Sequence, residues 1–198
     1  MRPVISTTLA AAFALAPTGA LAHVGHGSAS GLMHGFTHPI TGIDHVLAMV
    51  AVGVLAVQLG GRALWLVPLS FVGIMVIGGA LGMAGIPLPF AELGVALSVV
   101  VFGLAIALPF RLQRLAAVAL AGFFALFHGH GHGAEMPAAA SALYYAMGFI
   151  ASTALLHATG LGLGLLFGLE TGRLGHRVIQ AGGSAIAAFG AAILVGAL

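Results

Sequence analysis

From residue 39 onward the chain is a succession of apolar runs, most of them close to twenty residues long, separated by glycine, proline or arginine. An α-helix needs about 20 apolar residues to cross the hydrocarbon core of a bilayer, so this pattern dictates helices that end at membrane surfaces. The runs fall at 39–59, 63–83, 89–109, 115–132, 138–168 and 178–198. The fifth is long enough to tilt, or to break near Gly160. None shows the alternating period of an outer-membrane barrel strand. The expected fold class is all-α: a polytopic membrane protein, a bundle of six transmembrane helices. Charge supports this, because only 5% of the residues are charged and none is lysine. A soluble domain carries about 25%, and so little charge cannot cover a water-facing surface. Membrane lipid is therefore an expected partner. Nucleic acid is not, since the pI near 10.0 rests on six arginines against four acids and no basic face is built. Oligomeric state leaves no mark in the sequence.

The first 22 residues read as a signal peptide, with Arg2 ahead of a short apolar stretch at 4–16 and small residues at Ala20 and Ala22. Cleavage after Ala22 leaves a single domain, 23–198, beginning at His23. Counting loops from an outside start, Arg62, Arg111, Arg114, Arg173 and Arg177 all fall on one face. The positive-inside rule assigns that face to the cytoplasm. The expected location is a bacterial inner membrane, multi-pass, with both ends of the mature chain periplasmic.

The chain has ten histidines and no cysteine. Disulfides, thiolate metal sites and thiol catalysis are thereby excluded, and any transition-metal chemistry must use imidazole, carboxylate, thioether or backbone donors. Most histidines gather at the end away from the arginines. His23, His26, His34 and His38 precede or open the first run, and His128, His130 and His132 close the fourth.

The first motif reads His38-Pro39-Ile-Thr-Gly-Ile-Asp44-His45-Val-Leu-Ala-Met49. Pro39 suits the first turn of a helix, where its missing N–H costs nothing. A continuous helix from there places Asp44 and His45 about 10 Å below His38, at membrane depth. It also aligns His38, His45 and Met49 on one face. Ionisable side chains at that depth are costly and normally face a cavity, a partner or an ion path. The second motif reads Phe127-His128-Gly-His130-Gly-His132-Gly-Ala-Glu135. Each glycine costs a helix about 1 kcal/mol relative to alanine, which predicts that the backbone loosens here. His128 and His132, four apart, can still share a face. Imidazole with carboxylate suits Ni, Co, Zn or Cu(II).

The candidate metal ligands are therefore His38, Asp44, His45, His128, His132 and Glu135. Along the same path stand His23, His26, His34, Met49, Glu92 (one turn into the third run), His130 and His157 (on the fifth). Gly160, Gly164 and Gly168, at four-residue spacing, read as a close helix–helix contact.

At these two motifs the chain resembles the HupE/UreJ family of nickel and cobalt permeases. Residues 38–49 match the pattern HPxxGxDHxxxM at every fixed position, and residues 127–135 match FHGxxHGxE, with His130 at a free position. The resemblance implies uptake of Ni²⁺ or Co²⁺ as the transported ion, with no permanent cofactor and no catalysis. It also implies a binding role for the matched His, Asp and Glu residues. A different class that such ligands fit is an intramembrane metal-dependent hydrolase. The chain has no HExxH, and no serine stands within either motif.

Overall fold

A computed structural model describes residues 28–109, 112–168 and 173–197. The expected signal peptide, His23 and His26 lie outside the described residues. Seven helices follow in order: α1 (Ser28–Thr41), α2 (Ile43–Leu59), α3 (Ala63–Met83), α4 (Ala91–Ala107), α5 (Arg114–Ala134), α6 (Ala142–Gly168) and α7 (Arg173–Leu194). No strand occurs among the described residues. By length and apolarity, α3, α5, α6 and Leu174–Leu194 of α7 can each cross a membrane. The pair α1–α2 qualifies only jointly, as one broken span, and α4 is a shorter apolar helix of 17 residues.

Two expectations about local structure are corrected. The first apolar run is not one helix opened by Pro39. Residues Gly31–Thr41 and Ile43–Leu59 meet at 81°, and Pro39 lies inside α1. The break falls on Gly42, whose backbone is extended (φ −84°, ψ 112°). The hydroxyl of Thr41 donates to the His38 carbonyl (2.8 Å), capping an acceptor that the ending helix leaves free. Conversely, the His–Gly stretch does not loosen, because α5 runs unbroken through His128, His130 and His132 to Ala134. The fifth run is also continuous past Gly160, as α6.

In lipid no hydrophobic force drives one apolar helix onto another, so close packing of small residues must do so. The helices accordingly pair through glycine, and the pairs are not sequence neighbours. A Cβ on Gly129 would strike the Met75 carbonyl, and one on Gly133 the Gly79 carbonyl. From the other side Gly78 and Gly82 of α3 face the carbonyls of Leu126 and His130. Lower on the same parallel pair, Ser70 Oγ donates to the Val118 carbonyl at 2.7 Å. On α6, Gly160 abuts Val50 and Gly164 abuts Val57, while Gly53 of α2 answers from opposite, so the expected glycine contact is an α2–α6 seam. The helix α1 lies along the start of α6, where Gly35 meets the Tyr145 backbone and Gly148 meets that of Leu32. Gly103 and Gly183 join α4 to α7. Between these pairs Met49, Val52, Leu55, Phe71, Met75, Phe102 and Phe149 fill the core.

Arg62 stands immediately before α3 and Arg114 opens α5. A Cβ on Gly61 would lie 3.5 Å from the Arg114 guanidinium, so the two arginines mark one end of the bundle. The α1–α2 junction and the close of α5 stand at the other.

Candidate metal centre

The first turn of α2 is built around one carboxylate oxygen. Asp44 Oδ1 accepts from the His45 backbone N–H (2.8 Å) and from His45 Nδ1 (2.8 Å). An ionised carboxylate only accepts, so Nδ1 carries the ring proton and Nε2 holds the free lone pair. That Nε2 is buried without a hydrogen-bond partner. Asp44 thus fixes both tautomer and orientation of His45, as carboxylates do behind metal-ligating histidines. Gly42 permits the arrangement, since a Cβ there would lie 2.9 Å from Asp44 Oδ1 and 3.0 Å from His45 Nδ1.

On α5, His128 and His132 stand one turn apart on the buried face, both at 0% exposure. The hydroxyl of Ser98 on α4 donates to the Val95 carbonyl (2.6 Å) and lies 2.8 Å from His128 Nε2. A hydroxyl has one proton, so Ser98 accepts from Nε2–H, and the lone pair of His128 is left on Nδ1. That atom, like both nitrogens of His132, is buried and unpartnered. At the rim His38 Nε2 meets Glu135 Oε2 at 3.2 Å.

The two segments meet face to face. Ring centroids are 4.6 Å apart for His45 and His132, 4.8 Å for His45 and His128, and 5.0 Å for His38 and His132. His38 and His45 are 6.4 Å apart, brought together by the bend at Gly42 rather than by a shared helix face. The cluster therefore centres on His45, drawing rings from α1, α2 and α5. Aromatic side chains wall it in: Phe149 of α6 stacks on His132 (5.5 Å, 15°), and Phe71 of α3 lies 5.4 Å from His128. The imidazoles meet one another edge to face, except His45 and His132, which are tilted at 56°. Among the described residues, no three His, Asp or Glu side chains are arranged so as to hold a metal ion as they stand.

The other candidate residues lie around or beyond this centre. Met49 is fully buried one turn below His45. His34 is exposed on α1, and Glu92 is exposed in the first turn of α4. His130 turns away, with Nε2 2.8 Å from the Ile86 carbonyl in the α3–α4 connection. His157 is buried deeper, on α6. Sequence reasoning missed Ser98, Phe71 and Phe149. A lone serine inside the apolar run at 89–109 was the available signal for Ser98; the two aromatics carry none, being ordinary core residues until a neighbour is known.

Buried polar atoms are normally paired, and leaving one unpaired costs about 1–3 kcal/mol. Here His45 Nε2, His128 Nδ1 and both nitrogens of His132 are such atoms, and they belong to rings that neighbour one another. Neutral imidazole nitrogens flanked by two carboxylates form a donor set for a borderline divalent cation.

Comparison with known proteins bears on this arrangement. The profile of the family described as HupE / UreJ protein matches residues 11–193. The chain is 47% identical over 192 residues to Protein HupE of Rhizobium leguminosarum bv. viciae, an overlap covering 97% of each. No solved structure matches. With both structural motifs in place and the match running almost end to end, the chain belongs to the HupE/UreJ family.

Proposed function

We propose that this protein is an inner-membrane permease that carries a divalent transition metal, Ni²⁺ or Co²⁺, inward from the periplasm. In this reading the six expected spans are the bent pair α1–α2 and the helices α3 to α7. The arginine-marked end faces the cytoplasm, and the histidine end receives the ion. The observation that carries the proposal is the convergence of His38, His45, His128 and His132 from three helices, the last three of them with buried ring nitrogens that have no protein partner.

The chemistry follows from the local roles. Glu135 and His38, both partly exposed at the rim, attract the hydrated cation and replace its first waters. His45 Nε2, held by Asp44, and the nitrogens of His128 and His132 then take it below the surface. The rings pack against one another edge to face or tilted, so loading requires small rotations about their side-chain torsions to aim the lone pairs at one point. That suits a carrier: a site that binds strongly enough to admit an ion but is not a rigid cage can also release it. The exposed histidine on α1, His34, and the expected outer histidines His23 and His26 would raise the local ion concentration at the entrance.

The test is uptake of radiolabelled Ni²⁺ and Co²⁺ into liposomes holding the purified protein, with other divalent ions as competitors. Saturable uptake that is lost in His45→Ala and His132→Ala is the expected result. Wild-type liposomes that accumulate neither ion above empty controls would refute the assignment.

A further inference from the structure

Below the clustered rings the bundle holds one more histidine, which the site above does not use. His157 on α6 is 2% exposed, and neither ring nitrogen has a hydrogen-bond partner. It lies two turns, about 12 Å, further along α6 than Phe149, the ring that stacks on His132. One turn back on α6, Thr153 Oγ1 donates to Met75 Sδ (3.5 Å), and the hydroxyl of Ser152 is buried with no partner. The same phenyl ring, Phe71, lies 5.1 Å from His157 and 5.4 Å from His128, so the two imidazoles flank one side chain. Seven residues beyond His157, about 10 Å along the helix, Gly164 borders a cavity of about 530 Å³ at the arginine end, which also presents Gln58, His176 and Gln180.

A bare imidazole in the middle of an apolar bundle is expensive and rare unless it serves a path or a partner. The seams around it are tight enough that Gly53 presses on the His157 carbonyl, so the ring was not left unpartnered for want of packing. The polar atoms along this stretch of α6 are the His157 imidazole and the hydroxyls of Ser152 and Thr153, with the Met75 thioether set against Thr153. They offer one strong bond to a borderline divalent cation and leave its other positions to retained water. Between a tighter capture site and an open vestibule, that is the composition of an intermediate stop.

We infer that His157, with Thr153 one turn back on α6 and the Met75 thioether that Thr153 meets, forms a second, deeper station for the transported cation, loaded from the outer imidazoles and emptied into the inner cavity. The inference rests on the transport reading above, and the experiment separates the two. His157→Ala in liposomes retains cation binding by the purified protein within about twofold but loses uptake by about tenfold or more, whereas Asp44→Asn loses both. Wild-type uptake with His157→Ala equally fast overturns the deeper station and leaves the transport reading intact. No uptake by the wild type removes both.

A variant that keeps a ligand guards against a folding artefact. The chain has no cysteine, so in His157→Cys a thiolate-to-Co²⁺ charge-transfer band in the near ultraviolet reports position 157 alone. That band is expected on adding Co²⁺. It is not expected in Leu155→Cys, whose side chain is exposed on the outer face of the same helix. A silent His157→Cys protein that remains monodisperse in detergent overturns the inference.

Discussion

The two segments that supply the clustered imidazoles differ in a way opposite to their sequences. Residues 38–49, with a single glycine and a run of apolar residues, look like a continuous helix. Residues 128–133, alternating histidine with glycine, look like a frayed one. In the fold the first is broken and the second is continuous. The difference lies in what each glycine faces. Gly129 and Gly133 lie against the backbone of α3, so the cost of about 1 kcal/mol that each imposes on an isolated helix is offset by close interhelical packing. At Gly42 the nearest atoms are side-chain atoms of its own neighbours, and its missing Cβ makes room for Asp44 and His45 folding back over it. In a membrane bundle, glycine is interpreted by its neighbour rather than by its propensity.

This contrast can be broken at several points. The largest effect is expected at Gly129. A methyl there meets the Met75 carbonyl of a rigid helix, and Gly129→Ala should destabilise the bundle by about 2–3 kcal/mol, seen as a lower melting temperature in detergent. Next comes Asp44→Asn, which removes the acceptor that holds His45 in its tautomer. Ni²⁺ or Co²⁺ affinity should fall about 10–100-fold with the melting temperature little changed. An unaffected affinity would show that His45 is oriented by something else. Gly42→Ala sharpens the distinction between backbone and side-chain causes. Its φ and ψ suit alanine, so only the collision with the Asp44–His45 pair is introduced, and uptake should drop by about tenfold without loss of folded protein.

Smaller effects follow. Ser98→Ala removes one hydrogen bond to His128, worth about 1 kcal/mol, and should weaken cation binding by about fivefold in calorimetry. Gly131→Ala is the counterpart to Gly129. Nothing lies within 4 Å of its Cβ position, so the variant should be neutral or stabilised by up to about 1 kcal/mol. A Gly131→Ala protein as unstable as Gly129→Ala would mean that helix propensity, not packing, governs this stretch.

Much of the centre was legible in advance because its components announce themselves against lipid. Asp44, His45, His128 and His132 are polar groups in apolar runs, and at that depth a polar group needs a reason. His130 and Gly131 occupy two of the three free positions of the second motif, and the fold leaves both out of the centre: His130 bonds the Ile86 carbonyl, and a Cβ on Gly131 would meet nothing within 4 Å. Glu92 and His34 carry the same chemical signal but point outward, a distinction that spacing along one helix does not contain. Ser98, Phe71 and Phe149 were invisible for the converse reason, since their role comes from a ring on another helix.

The sequence by itself determined the solvent of this protein, its all-helical class, the sidedness of arginine and histidine, and the absence of thiolate chemistry. Each of these depends on composition or on run length, which are properties of one segment at a time. Tertiary structure decided where the first run bends, that the His–Gly stretch stays helical, and which imidazoles share a centre. Those outcomes depend on the register between helices far apart in the chain, set by glycines whose contacts are backbone atoms of a partner that no single segment specifies.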